Sequence, residues 1–310
     1  MAIQATCWRM AMEELMIWGL DVVRAVQSIK GPLLTVVMQI LTQVGSEYFY
    51  LLFLPVVFWC VDARFGIRFG LVFLLSAFTN SWLKVVFAVP RPFVLDPSVG
   101  LAHETSFALP SGHAQGSATF WGLLAVRFRS PWGLVLAIVV PLIIGFTRIY
   151  LGVHYPTDLF LGWLLGWGIA LAWFGFGDRV SRFVSKANIR FRIIGAAAFA
   201  LGMNALYPED PTLAGAFLGT AIGANFCIGR LAFDAASVNL KTKAMRMGLG
   251  LAGLALVYFG GKLLSPGDGS GLYALVKFLR YGLVGAWISL GAPWLFVRLG
   301  MGGRTVIQAE

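Results

Sequence analysis

From residue 46 to residue 296 the chain is a succession of long apolar runs broken by short charged or Gly- and Pro-containing turns. That pattern constrains its fold more than any other feature. A bilayer core about 30 Å thick takes roughly 17–25 mostly apolar residues per helix. Charge-poor stretches near 46–61, 66–89, 113–129, 131–149, 156–176, 193–206, 213–230, 247–264 and 272–296 supply about nine such segments. In lipid each backbone N–H and C=O must be satisfied internally, so the predicted fold is all-α and polytopic. Of the 310 residues 58% are hydrophobic and only 12% charged, against about 25% charged in a soluble domain. That is too little charge to cover a soluble surface. A cytosolic enzyme, a disordered chain, collagen and a coiled coil are excluded together.

The start of the chain is less regular. Gly31–Ser46 and Tyr48–Val61 are separated only by Glu47, which leaves open whether residues 31–45 span the membrane. Residues 9–30, with Trp8 just before them, mix Met10, Met12, Leu15, Ile17 and Trp18 with charges, as an interfacial amphipathic helix does. Arg9, Glu13 and Glu14 interrupt any apolar run there, so a cleaved signal peptide is not expected. Three parts follow: an N-terminal interfacial segment (1–45), a membrane core (46–206) and accessory C-terminal helices (207–310). Cys7, Cys60 and Cys227 are scattered, with no zinc or disulfide spacing.

The net charge of +10 is a membrane feature rather than a nucleic-acid one, because Lys and Arg gather in cytoplasmic loops near anionic headgroups. One alternate set of loops, around 64–68, 127–129, 179–192, 230–246 and 298–304, holds fifteen Lys and Arg; the other set holds at most six. The basic set is assigned to the cytoplasm. The turns around 207–211 and 265–271 then face outward. Gly215, Gly219 and Gly223, like Gly162 and Gly166, form small-residue stripes that allow close helix packing. Packing within the chain is expected for these stripes, ahead of a dimer seam; the oligomeric state stays open.

Three cations of the sparse outer set lie beside two of the three histidines. They occur in Lys84-Val-Val-Phe-Ala-Val-Pro-Arg91-Pro92, near Pro110-Ser111-Gly112-His113, and in Arg148-Ile-Tyr-Leu-Gly-Val-His154-Tyr-Pro-Thr-Asp158. An ionisable residue at membrane depth is a functional candidate. Two Arg forks and a Lys suit a phosphoryl dianion. The amides of Ser111 and Gly112, at the start of a helix, suit it as well. Two histidines offer a nucleophile and an acid, and Asp158, four residues after His154, can fix its tautomer. His103 and Glu104 share the intervening loop with no motif around them.

These three elements, in order, resemble the signature of the type 2 phosphatidic acid phosphatase superfamily: K-x6-R-P, P-S-G-H and S-R-x5-H-x3-D. Thr147 stands where the family has Ser. The resemblance implies that His154 becomes a phosphohistidine, that Asp158 orients it and that His113 protonates the leaving group. Lys84, Arg91, Ser111, Gly112 and Arg148 would hold the phosphoryl oxygens, with no metal and no other cofactor. It further implies a membrane phosphatase acting on a phospholipid or polyprenyl diphosphate; the Lys and Arg count puts its site at the outer face of, in a bacterium, the inner membrane, and its C-terminus in the cytoplasm. The partners would be membrane lipids and the phosphorylated substrate, not nucleic acid. The nine-span layout is similar to the glucose-6-phosphatase branch, which makes a sugar-phosphate hydrolase the alternative. A phosphotransferase would share all these residues. An inactive lipid-binding relative should have lost a nucleophile or a phosphate ligand, and a transporter should show paired repeats; neither is seen in the sequence.

Overall fold

A computed structural model describes the backbone of residues 2–303 apart from 229 and 268, and side chains from Met12 onward. Among these residues there is no strand. The helices are α1 (Ala2–Gln27), α2 (Pro32–Thr42), α3 (Glu47–Val56), α4 (Ala63–Phe87), α5 (Pro92–Leu95), α6 (Gly112–Phe128) and α7 (Pro131–Tyr150), followed by α8 (Pro156–Lys186), α9 (Ile189–Leu206), α10 (Thr212–Cys227), α11 (Leu240–Leu263), α12 (Tyr273–Ala286) and α13 (Ala292–Arg298). Six described segments are long and apolar enough to cross a bilayer: Ala63–Leu95, Pro131–Tyr150, Pro156–Lys186, Ile189–Leu206, Leu240–Leu263 and Tyr273–Arg298. Pro32–Gly45 and Glu47–Val61, bent by 46°, make one further candidate as a broken span. The two other expected segments fall on α6 and α10, which have 17 and 16 residues. The protein is an all-α integral membrane protein. Cys7, Trp8, Met10 and Arg304 lie outside the described side chains, while Cys60 and Cys227 are buried free thiols.

The chain divides into two compact units. The first, Met1–Phe49 with Thr79–Asp178, contains all three motif elements. Its helices begin at ordinary start signals: Ser111 caps α6, and Ser130 caps α7 with Pro131 in the first turn. A Cβ at Gly162 would fall 2.8 Å from the Ser111 carbonyl oxygen, and one at Gly166 would fall 2.5 Å from that of Gln115. This glycine stripe therefore seats α8 on the first two turns of α6. Helix α1 buries Leu20 and Val23 against Val89, Val99, Ala108 and Tyr155, while Leu15, Ile17 and Trp18 point outward. Its last turn is pinned: Arg24 pairs with Asp96 at 2.7 Å, and the Gln27 amide donates to the carbonyls of Val99 and Tyr150, each at 2.8 Å.

The second unit comprises Tyr50–Phe78 and Arg179–Glu310. Here Gly215 and Gly219 bring α10 against the backbone of α12 at Phe278 and Gly282, so this stripe also serves packing within the chain. Arg246, counted above among the loop cations, is instead fully buried. Its guanidinium donates to the carbonyls of Trp59 (2.8 Å), Ala235 (3.1 Å), Asp234 (2.9 Å) and Met301 (2.5 and 2.9 Å), and it lies 4.8 Å from the Phe233 ring centroid. The pattern of Lys and Arg along a chain does not distinguish a solvated loop charge from one that carbonyls enclose.

Candidate active site

The loop after α7 sets the centre of the site. Gly152 has φ +71°, and a Cβ there would overlap the Val99 carbonyl, so only glycine fits this turn. The chain then reaches His154 and enters α8 at Pro156. One helical turn separates His154 from Asp158, and the geometry closes: His154 Nδ1 lies 3.0 Å from Asp158 Oδ2, which also accepts the Tyr155 N–H at 2.8 Å. On the other side of the ring, Arg91 Nη1 lies 3.1 Å from Nε2. A guanidinium has no acceptor. Nε2 must therefore carry the lone pair, and Nδ1 the proton donated to Asp158. Burial, reinforced by the charges of Arg91, Lys84, Arg148 and His113, holds the His154 imidazole well below its ordinary value. Neutral, with its free nitrogen facing a guanidinium, it is set up as a nucleophile.

The cations come from three segments. Helix α4 is followed by Ala88, whose left-handed backbone (φ 48°) donates N–H to the Lys84 carbonyl at 2.9 Å and turns the chain toward Arg91. Lys84 Nζ donates to the Phe107 carbonyl and to that of Ala108 at 3.4 Å. Arg91 also clamps the carbonyls of Ser106 (2.7 Å) and Val153 (2.9 Å) and the Ser106 hydroxyl (2.9 Å). Arg148, near the end of α7, reaches the Thr42 hydroxyl at 2.9 Å and forms an ion pair with Glu104.

At the start of α6 the sequence expectation needs one correction. The Ser111 N–H, expected to face an anion, donates to the Asp158 carbonyl at 3.0 Å, and its hydroxyl caps the Ala114 N–H at 3.4 Å. The remaining first-turn donors are the amides of Gly112 and His113. Gly112 lies close to Asn80, whose amide bonds Gln115 Oε1 at 2.9 Å. His113 is half-buried; a Cβ on Gly45 would come 3.1 Å from its ring. Thr147 is buried and donates to the Ile144 carbonyl of its own helix at 2.6 Å, a bond that a serine hydroxyl makes equally well. His103 packs edge-on against Phe93.

Two family profiles match the chain: "PAP2 superfamily" over residues 65–182, and "PAP2 superfamily phosphatase, transmembrane extension" over residues 211–304. The chain belongs to the PAP2 superfamily. Among PAP2 relatives, an undecaprenyl-diphosphatase of Sulfolobus acidocaldarius is 34% identical over 33% of this chain and 50% of its own length. Phosphatidylglycerophosphatase B of Bacillus subtilis is 28% identical over 53% of this chain and 85% of its own. A crystal structure of a transmembrane PAP2 type phosphatidylglycerolphosphate phosphatase from Bacillus subtilis matches 53% of this chain and 87% of that one, at 28% identity and a TM-score of 0.46. The chain thus spans about half the length of the Sulfolobus relative. The PAP2 profile begins at residue 65, so the segment bearing Thr42 and Gly45 lies outside it.

Sequence reasoning missed Thr42, Asn80 and Ser106, and left Glu104 without a role. Thr42 is 106 residues from Arg148, and no spacing rule reaches that far. Glu104 did carry a signal: apart from Asp96 it is the single acid between the first two motif elements, in the segment that joins Arg91 to His113.

Proposed function

We propose that this protein is a membrane phosphatase that hydrolyses a phosphate monoester or diphosphate of an amphiphilic substrate through a phosphohistidine on His154. The observation that carries the reading is the Asp158–His154–Arg91 line, in which a neutral imidazole turns its free Nε2 toward a guanidinium. Lys84, Arg91, Arg148 and the first-turn amides of α6 would bind the phosphoryl oxygens, and Ser111 would shape that turn. Nε2 would attack phosphorus as the ester P–O bond breaks, the leaving oxygen taking its proton from His113. Asp158 would stabilise the imidazolium. Water would then break the P–N bond, giving up its proton to the now neutral His113 and releasing orthophosphate. The charge developing on the phosphoryl group is met by side-chain cations, a role a metal ion plays in other phosphoryl-transfer sites.

The relatives named for undecaprenyl diphosphate and phosphatidylglycerophosphate favour a lipid phosphate. The test is orthophosphate release by the purified protein in detergent, across phosphatidic acid, phosphatidylglycerophosphate, undecaprenyl diphosphate, sphingosine 1-phosphate and glucose 6-phosphate. Release from a lipid substrate that persists in EDTA is expected. Full, Mg²⁺-reversible loss in EDTA, or activity on glucose 6-phosphate alone, would overturn this reading.

The positive-inside count supports a site on the periplasmic or lumenal face and a cytoplasmic C-terminus. In a protein lacking Cys7, Cys60 and Cys227, a thiol introduced by G269C should react with an impermeant reagent in intact cells or spheroplasts. One introduced by S185C should react only after lysis. The opposite pattern would mean that the enzyme meets cytoplasmic substrates.

A further inference from the structure

We propose that Thr42 is a positioning residue of the phosphate site: its hydroxyl anchors one arm of Arg148 so that the opposite edge of the guanidinium faces the phosphoryl group. The inference rests on the functional reading above and deepens it, by bringing the N-terminal segment, outside the PAP2 profile, into the site.

The donor inventory of Arg148 makes the case. Its side chain is only 3% exposed, so each of its N–H groups needs a partner within the protein or on a ligand. Nη1 donates to Thr42 Oγ1 at 2.9 Å. Nη2 meets the Glu104 carboxylate. Nε is buried with no partner. Nε and Nη2 form the side-on edge of the fork, the pair that grips two oxygens of a phosphoryl group in parallel. On this edge one donor is unpaired and the other is held by a carboxylate that is 32% exposed and therefore free to swing out to water. A phosphoryl dianion arriving there competes with Glu104 for Nη2 and satisfies Nε for the first time. Once Glu104 yields, the Thr42 hydroxyl still holds the far arm.

The segment carrying Thr42 is built to hold still. Thr42 is itself buried and closes α2. Helix α2 is tied to the end of α7 through Tyr150, whose hydroxyl accepts the Gly31 N–H at 3.3 Å and pairs with the Thr35 hydroxyl at 3.0 Å. Tyr150 is two residues from Arg148, so α2 and the guanidinium it anchors move together. The short turn after Thr42 carries Gly45 against the His113 ring. One segment thus touches both the phosphate-binding arginine and the candidate acid.

Thr42→Val keeps the shape and removes the acceptor, leaving Nη1 a buried unsatisfied donor. Thr42→Ser keeps the acceptor. Thr42→Cys is a second near-isostere with a poor acceptor, for use if the valine protein does not fold. Two measurements on the full chain in detergent read the effect: KM and kcat with p-nitrophenyl phosphate, and the affinity for inorganic phosphate from its thermal stabilisation of the protein. The T42V or T42C protein should bind phosphate roughly five- to tenfold more weakly. KM should rise by a similar factor, kcat should change less, and T42S should stay within about twofold of wild type. Unchanged phosphate affinity in T42V and T42C, or a serine variant as impaired as they are, would overturn the inference. Phosphate binding is read without turnover, so a wild type that binds phosphate yet hydrolyses nothing would sink the functional reading while Thr42 is still judged.

Discussion

The His154→Ala protein should show no turnover and no trapped phosphoenzyme, whereas His113→Ala should still form phosphoenzyme with p-nitrophenyl phosphate. His154 is the ring whose unprotonated nitrogen lies 3.1 Å from Arg91, so removing it should remove the reaction. A general acid contributes about 10²–10⁴-fold when the leaving group is a poor one. p-Nitrophenolate departs without a proton, so the His113 variant should lose little with that substrate and two or more orders of magnitude with a lipid phosphate. Rapid-quench trapping of phosphoenzyme from both substrates checks this. Equal loss in both variants with the activated ester would reverse the roles. The state of His154 adds a pH signature. Held below 6.5 by burial and by the charges of Arg91, Lys84 and Arg148, it binds fewer protons folded than unfolded. Its contribution to stability is therefore present above about 6.5 and declines as the pH falls below that value. The nucleophile stays unprotonated through the same range, so the rate of phosphoenzyme formation should not fall in step with an ordinary histidine titration.

The second large effect concerns backbone contact rather than chemistry. Gly166→Val should strip activity and lower the melting temperature by roughly 6–12 °C, taking a cost of about 3 kcal/mol for overpacking and 2–4 °C per kcal/mol for a protein of this class. A Cβ there meets the Gln115 carbonyl, Ala118 and the Thr119 amide of α6. Main chain cannot rotate out of the way as a side chain can. Pushing α8 off α6 also separates Asp158 from Ser111, which are joined by a backbone hydrogen bond of 3.0 Å, and so loosens the nucleophile and the phosphate-binding turn together. The matched control is Gly168→Val or Gly175→Val on the same helix, where an added Cβ meets nothing within 4 Å. Those variants share the helix-propensity penalty and should keep near-wild-type activity. Comparable losses at Gly168 and Gly166 would mean that propensity, not packing, decides.

The sequence disclosed the candidate site residues better than their supports. Lys84, Arg91, His113, Arg148, His154 and Asp158 were legible because a charge in an apolar chain is costly and their mutual spacings are short. The all-α architecture was legible for the same reason: a bilayer permits few alternatives. Helix stripes at Gly162–Gly166 and Gly215–Gly223 announced tight packing, and the structure supplies the partners. What stayed hidden depends on contacts distant in sequence. The Thr42–Arg148 bond joins segments that no periodicity links, and a threonine in an apolar helix reads as filler. The role of the Ser111 amide was misread because its acceptor, the Asp158 carbonyl, is 47 residues away. Helix α1 reads as amphipathic, but the partners of its buried side, which Leu20, Val23 and Gln27 meet in the unit that holds the site, are distant in sequence.

Arg246 has a consequence for biogenesis. Its five donated bonds reach carbonyls contributed by three stretches of the second unit, at Trp59, at Asp234 and Ala235, and at Met301. No carboxylate is among these acceptors, so the hydrogen bonds that solvate the cation come from peptide carbonyls. A buried guanidinium with part of that shell missing is strongly unfavourable. Two of the five bonds go to Met301, the last of these partners to be synthesised. As the chain emerges from the ribosome, the second unit must therefore wait for Met301 before this charge is enclosed. Until then its arginine must stay hydrated, which delays the closure of α11 onto the segment around Trp59. Ribosome-associated intermediates should thus have the first unit inserted and competent to pack while the extension remains open, and chains released before Met301 should be degraded rather than accumulate.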